Sequence, residues 1–261
     1  MGNFRILLAL GVVLGWQAKA DNVAYMGTST GQFGTVDLNT GQFNLLGSTG
    51  LTLAGLASLN GTLYGTSYNT GAGTLYSINP ANGNLTTIGN STVNYDLFGC
   101  TATQLYALDA NFNLYYVSPV TGEATLIGAT GVTPGGDSAL FANAAGLYLS
   151  NGADFYSVNT TTGAATLIGV TGGALLSAMV GEGGVLYGGE ASPNAEVDTI
   201  NTATGIATAS AAITGGATTV YGLAPYPLSA APEPSTLGLL GAAAVFCLGL
   251  GKSGKAVRRN E

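Results

Sequence analysis

One short segment recurs five times along this chain, and it constrains the fold more than any other feature. It reads Val36-Asp37-Leu38-Asn39-Thr40-Gly41, then Tyr76-Ser77-Ile78-Asn79-Pro80-Ala81-Asn82-Gly83, then Tyr115-Tyr116-Val117-Ser118-Pro119-Val120-Thr121-Gly122. Tyr156-Ser157-Val158-Asn159-Thr160-Thr161-Thr162-Gly163 and Asp198-Thr199-Ile200-Asn201-Thr202-Ala203-Thr204-Gly205 complete the set. The closing glycines stand at 41, 83, 122, 163 and 205, with spacings of 42, 39, 41 and 42 residues. A repeat of that length must be one supersecondary unit that buries its apolar faces against its neighbours.

Each unit reads as four strands. In the second repeat these are Leu53 to Ala57, Leu63 to Ser67 after an Asn60-Gly61 hairpin turn, Leu75 to Asn79, and Leu85 to Ile88. Leu-Tyr recurs on the second strands at Leu63-Tyr64, Leu105-Tyr106, Leu147-Tyr148 and Leu186-Tyr187. One large apolar and one aromatic residue in alternation suit a sheet packed on both faces by other sheets. Four strands in a period near 40 predict a β-propeller blade. The first repeat supplies only three strands, beginning at Tyr25-Met26-Gly27-Thr28-Ser29, and lacks its innermost one. Val220-Tyr221-Gly222-Leu223-Ala224 matches the inner strand Leu53-Ala54-Gly55-Leu56-Ala57 at Gly-Leu-Ala and would fill that place. The expectation is therefore an all-β body over 21–224, a single five-bladed propeller closed by a C-terminal strand joining the first blade. An open β-solenoid is the alternative, but it has no need of a first unit short by one strand and an orphan strand at the end.

The blades resemble those of bacterial propeller proteins with a Leu-Tyr-x-Ile/Val-Asn/Asp, Thr-Gly, Thr-Leu-Ile-Gly pattern, many of which are exported. The pattern is strong in repeats two to four and worn in the fifth, where Val197-Asp198 stands in place of Leu-Tyr. Such motifs report a blade and not its ligand.

Charge excludes several classes of function. Only 7% of residues are charged, too few to solvate the outer faces of a helix bundle. Histidine is absent, which removes His metal ligands and the Ser-His and Cys-His dyads. All six basic residues, Arg5, Lys19, Lys252, Lys255, Arg258 and Arg259, lie near the termini. Twelve of the thirteen carboxylates, all but Glu261, lie between Lys19 and Lys252 with no cation among them. Nucleic acid, which needs Lys or Arg on its phosphates, is excluded as a partner of the body.

The termini read as targeting segments. Arg5, the apolar run from Ile6 to Trp16 and the small-x-small triplet Ala18-Lys19-Ala20 have the order of a secretory signal, residues 1–20, with signal-peptidase cleavage after Ala20. A buried N-terminal strand or helix is the alternative. Residues 225–236 form a proline-containing linker, and 237–261 form a membrane-spanning helix with a basic tail. The apolar stretch Leu237 to Gly251 rises about 22 Å as a helix, short of a hydrocarbon core of about 30 Å, so the span is marginal. Positive-inside bias keeps the basic tail cytoplasmic and the body outside, so the chain contacts membrane through this helix before processing.

Pro232-Glu233-Pro234, Ser235-Thr236, the short Gly/Leu/Ala-rich span and the basic tail resemble the PEP-CTERM sorting signal. The resemblance covers about the last 30 residues. It implies recognition of the triplet by an exosortase, a membrane transpeptidase-like enzyme, in a Gram-negative-type bacterium that makes exopolysaccharide. Delivery to the cell surface or extracellular matrix follows. A permanent single-span anchor is the alternative. With Cys247 inside the span, Cys100 is left as a lone thiol, expected in the core.

The candidate site residues are acidic. By analogy with the usual propeller layout, the ligand-bearing face collects Asp96 and Asp137 near the starts of inner strands. Asp109, Asp154, Glu190 and Glu196 join them in or beside second-to-third loops, while Glu123 and Glu182 fall on the opposite face. Asp96, Asp109, Asp137 and Asp154 are the candidates for cation or glycan contact, with Ca2+ the cation that suits an all-oxygen exported site. Asp109-Ala110-Asn111-Phe112-Asn113 begins like a calcium loop but lacks the following glycine and a closing carboxylate, and an Asx-type hairpin turn accounts for it better. Three functions compete: a non-enzymatic surface or matrix protein that contacts exopolysaccharide or surface proteins; a lectin-like glycan-binding module; and a glycoside hydrolase or lyase using Asp96 and Asp137. The absence of body Arg and of any Trp beyond Trp16 weighs against the enzyme.

Overall fold

The repeated segment folds as a tight hairpin because its polar residue caps it from within. Asp37, Asn79, Ser118, Asn159 and Asn201 each accept a backbone N–H from two residues further on through the side-chain oxygen. Each also accepts the amide of its closing glycine through the main-chain carbonyl, at 2.7 to 2.9 Å. Those glycines hold φ between 71° and 83°, a left-handed conformation that a Cβ would strain. Elsewhere the Asn60-Gly61 pair, at φ 51° and 76°, makes the expected two-residue hairpin turn.

A computed structural model describes residues 22–68, 72–101, 103–143, 146–190, 195–217 and 219–226. The expected signal segment with Ala18 and Ala20, the triplet Pro232-Glu233-Pro234 and the C-terminal helix all lie outside the described residues. Blade one is built from β1 (Val23–Gly27), β2 (Gln32–Asp37) and β3 (Phe43–Ser48). Blade two is β4 (Leu53–Leu59), β5 (Thr62–Ser67), β6 (Gly73–Ile78) and β7 (Leu85–Ser91). Blade three is β8 (Leu97–Cys100), β9 (Leu105–Leu108), β10 (Asn113–Val117) and β11 (Ala124–Ala129). Blade four is β12 (Ser138–Asn143), β13 (Gly146–Asn151), β14 (Asp154–Val158) and β15 (Ala165–Val170). Blade five is β16 (Leu176–Glu182), β17 (Val185–Glu190), β18 (Glu196–Ile200) and β19 (Ala207–Ala212), after which comes β20 (Gly222–Pro225).

The strands form five antiparallel four-stranded sheets, and β20 takes the inner edge of the first in the order β20-β1-β2-β3. Its register runs Gly27↔Gly222 to Ala24↔Pro225. The chain is thus an all-β five-bladed propeller closed by its last strand. Several strand boundaries differ by a few residues from the sequence reading, two of them in the first blade. Pro225, assigned to the linker, ends β20, where a strand-terminal residue needs no ladder N–H. β1 stops at Gly27 because the Thr28 hydroxyl instead accepts the Gln32 amide and opens the turn.

Five apolar clusters fill the gaps between successive blades, and one of them packs Met26, Val36 and Phe43 of the first blade against Val180, Tyr187 and Val197 of the fifth. The inner strands touch in cyclic order, β4 with β8, β12, β16 and β20 in turn, and β20 with β4. They approach so closely that a Cβ on Gly99 would lie 2.8 Å from the Leu140 carbonyl oxygen of the next inner strand. Cys100 is buried in the core between blades two and three, where its Sγ–H donates to the Ser58 carbonyl at 3.2 Å. Burial pushes this thiol up to about 11, so it is not a nucleophile near neutral pH.

Candidate functional site

The mouth of the ring is built where the five inner strands begin. Blade two contributes Ala54, blade three Asp96 and Leu97, blade four Asp137 and Ser138, blade five Ser177, and the closing segment Tyr221. Tyr68, just after β5, and Phe112, in the β9–β10 turn, complete the wall with the Pro134 to Gly136 crossover. They enclose a cavity of about 320 Å³. A further void of about 10 Å³ lies between the inner strands, and the mouth forms a cup.

The structure sorts the four sequence-predicted carboxylates into two kinds. Asp96 and Asp137 meet at the cup, and among the described residues neither side chain accepts a hydrogen bond. Asp109 is occupied by its own turn. Its carboxylate accepts the amides of Asn111 and Asn113, the Asn113 side-chain amide at 2.9 Å and the Tyr115 hydroxyl at 3.1 Å. This is the Asx turn, and it closes on itself without a metal. It also holds Phe112 at φ 56°, where blade one places Gly31 in the same left-handed position. The Phe112 ring is 1% exposed, and its burial offsets a backbone cost of about 1–2 kcal/mol. Asp154 accepts the Tyr156 hydroxyl at 3.0 Å and does not line the cup.

Electrostatics separate the same residues. Burial first, and Asp109 second, raise the Asp96 carboxyl above its ordinary range. The Tyr68 phenol is raised by burial, by Asp96 and by Tyr221. Tyr68 and Tyr221 stand edge to face, with ring centroids 6.2 Å apart at 80°. No sequence signal pointed to this pair, since ring closure alone brings together residues from blade two and the closing segment.

A second acidic group lies in blade five. Each of blades two to four places a tyrosine after a bulge in the third strand, Tyr76, Tyr115 and Tyr156, and blade five places Asp198 there. Asp198 is 2% exposed and its Oδ2 has no hydrogen-bond partner. Burial, then Glu190 and Glu196, pushes its carboxyl up to about 7. Glu190 is raised by burial and by Glu196 and Asp137, although the Leu175 amide it accepts at 3.1 Å works the other way. The replacement of Leu-Tyr by Val197-Asp198 was the signal for this group. Among the described residues, no three carboxylates or thiols converge in an arrangement that would hold a metal ion.

No protein-family model and no curated protein matches the chain. Solved structures do. A protein of unknown function from Bacteroides thetaiotaomicron aligns at 14% identity with a TM-score of 0.58, over 78% of this chain and 62% of that one. The chain therefore spans less than two thirds of that neighbour's length. A chain of a nidogen/laminin complex aligns at 11% identity with a TM-score of 0.53, over 78% of this chain and 82% of that one. At such identities the likeness extends to the propeller fold alone.

Proposed function

We propose that this chain is an exported surface or matrix protein whose propeller binds, and does not transform, an extracellular polysaccharide. The N-terminal signal carries it across the membrane, and an exosortase acts at Pro232-Glu233-Pro234. The observation that carries the binding reading is the cup, where two carboxylates without protein hydrogen-bond donors and an edge-to-face tyrosine pair converge at the one point every blade reaches. Concave sites with a few convergent polar groups are where small ligands and sugar units are held. Its chemistry supports contact and not turnover, because the body has no His, Lys or Arg to act as nucleophile-activating base or anion clamp, and its thiol is inert.

Two measurements test this reading. Mass spectrometry of surface material should find a C-terminus near Pro232 to Pro234, and intact chains ending at Glu261 in a host with an active exosortase would make the helix a plain anchor. A glycan array should show binding without cleavage products. The raised Asp96, with Asp137 lining the same cavity, favours a second reading, a glycoside hydrolase with Asp96 as acid. Cleavage lost in both Asp96→Asn and Asp137→Asn would establish that reading in place of the first.

A further inference from the structure

We propose that the cup is a receptor for an organic ammonium group, and that the saccharide it takes is amine-bearing and not neutral. The proposal rests on the polysaccharide-binding reading above and narrows its ligand.

Charge is the first reason. Asp96 and Asp137 face a shared cavity, and nothing between Lys19 and Lys252 can neutralise them, since that interval contains no Lys, Arg or His. Both carboxylates are half-buried, and a half-buried carboxylate without a counter-charge is unfavourable, so a cationic ligand supplies the missing partner. Partial burial first, and the Asp109 charge second, raise the Asp96 carboxyl.

Hydrogen bonding is the second. Several donors around the cup are committed elsewhere, while Tyr68 and Tyr221 bring their own hydroxyls to its wall. The single Ser177 hydroxyl proton is shared between the carbonyls of Gly189 and Val220, the Ser138 hydroxyl reaches Asn151 Oδ1 at 3.1 Å, and the Gly135 amide donates to the same Asn151 oxygen at 2.9 Å. The Asp96 amide donates to Leu108 at 2.8 Å. The two carboxylates are the cup's strongest acceptors, and a protonated amine, with three donors and no acceptor, is the group complementary to them.

Aromatic geometry is the third. Tyr68 and Tyr221 both line the cavity with their rings at 80° to each other, an aromatic pair of the kind that contributes to cages for alkylammonium groups. A divalent cation fits less well, because it needs several converging oxygens, and among the described residues no three carboxylates or thiols are arranged to hold a metal ion. An amino sugar carries its ammonium and several hydroxyl donors on one rigid ring, so it meets both carboxylates and the serine oxygens together.

The test is calorimetric titration of the full chain with a β-linked glucosamine tetramer, its N-acetylated counterpart and a lysine tetrapeptide, each at low and physiological salt. The glucosamine tetramer should bind at least tenfold tighter than either of the others and weaken as salt rises. Asp96→Asn and Asp137→Asn should each reduce its affinity tenfold or more. Tyr221→Ala should weaken binding while Tyr221→Phe retains it. A rise in wild-type melting temperature with the glucosamine tetramer, absent with the N-acetylated form, reports the same preference without any variant. Equal affinity for the N-acetylated tetramer would overturn the ammonium inference and leave the polysaccharide reading standing. Preference for the lysine peptide would overturn the saccharide assignment, and binding of none of the three would overturn the site itself.

Discussion

Ring closure makes the inner strands the least forgiving part of this fold, and Gly99→Ala tests that directly. Gly99 lies in the middle of β8, with φ outside the left-handed region, so alanine is acceptable to its own backbone. The added methyl would nonetheless sit 2.8 Å from the Leu140 carbonyl oxygen, 3.2 Å from its carbon and 3.5 Å from the Phe141 Cα, all main-chain atoms of the next blade. Restoring an ordinary contact requires β8 and β12 to part by about 0.5 Å or more. In a closed ring that displacement cannot stay local, because β12 is held by β16 and β8 by β4. Overpacking of this kind costs about 1–3 kcal/mol, and the stiffer unfolded chain returns about 0.4–1 kcal/mol. The expected net loss is about 1.3 kcal/mol, a fall in Tm of about 3–5 °C for a domain of this size. The control is Gly135→Ala, where a Cβ would meet nothing within 4 Å and φ is again outside the left-handed region, so stability should change by no more than about 0.5 kcal/mol. Thermal melts followed by circular dichroism on both variants decide it. If Gly99→Ala melts with the control, the inner strands have slack that a closed five-membered ring does not allow.

Deleting residues 219–226 removes β20, the inner edge of blade one, and should abolish the single cooperative melting transition; an unchanged melt would refute closure by this strand. Asp198 gives a pH signature. Its folded-state carboxyl, at about 7, lies above its unfolded value, so the folded protein binds the extra proton and stability falls as pH rises from about 4 to 7, by at most about 1.4 kcal/mol per pH unit. Asp96 and Glu190, also raised, act in the same sense. Urea midpoints measured across that window should flatten in Asp198→Asn, and an unchanged slope would remove Asp198 as the cause. Cys100, buried and pushed up to about 11, should resist a thiol reagent at pH 8 in the native protein and react on denaturation, whereas fast native labelling would contradict its placement in the core.

The sequence alone determined the blade, the number of blades and the way the ring closes. Each is written in local chemistry repeated at a fixed interval: a capping Asn, Asp or Ser and a left-handed glycine in every hairpin, period-2 strands, and a final Gly-Leu-Ala that fills the gap in the first repeat. These features act over a few residues and need no knowledge of the rest of the chain. The sequence also placed Asp96 and Asp137 on one face, where both line a single cavity, because strand order sets which ends of a blade share a side. Only the tertiary structure decided which carboxylates have protein partners. Asp109 and Asp154 look equivalent to the other two as letters, yet each is satisfied by a tyrosine on its own blade, while Asp96 and Asp137 open onto a cavity. Tyr68 and Tyr221 are 153 positions apart in the chain and meet because β20 returns to the first blade. Asp198 is an ordinary acidic residue until burial behind the bulge and two neighbouring glutamates set its proton affinity. Burial and long-range proximity are properties of the closed ring, and a repeat read one unit at a time does not contain them.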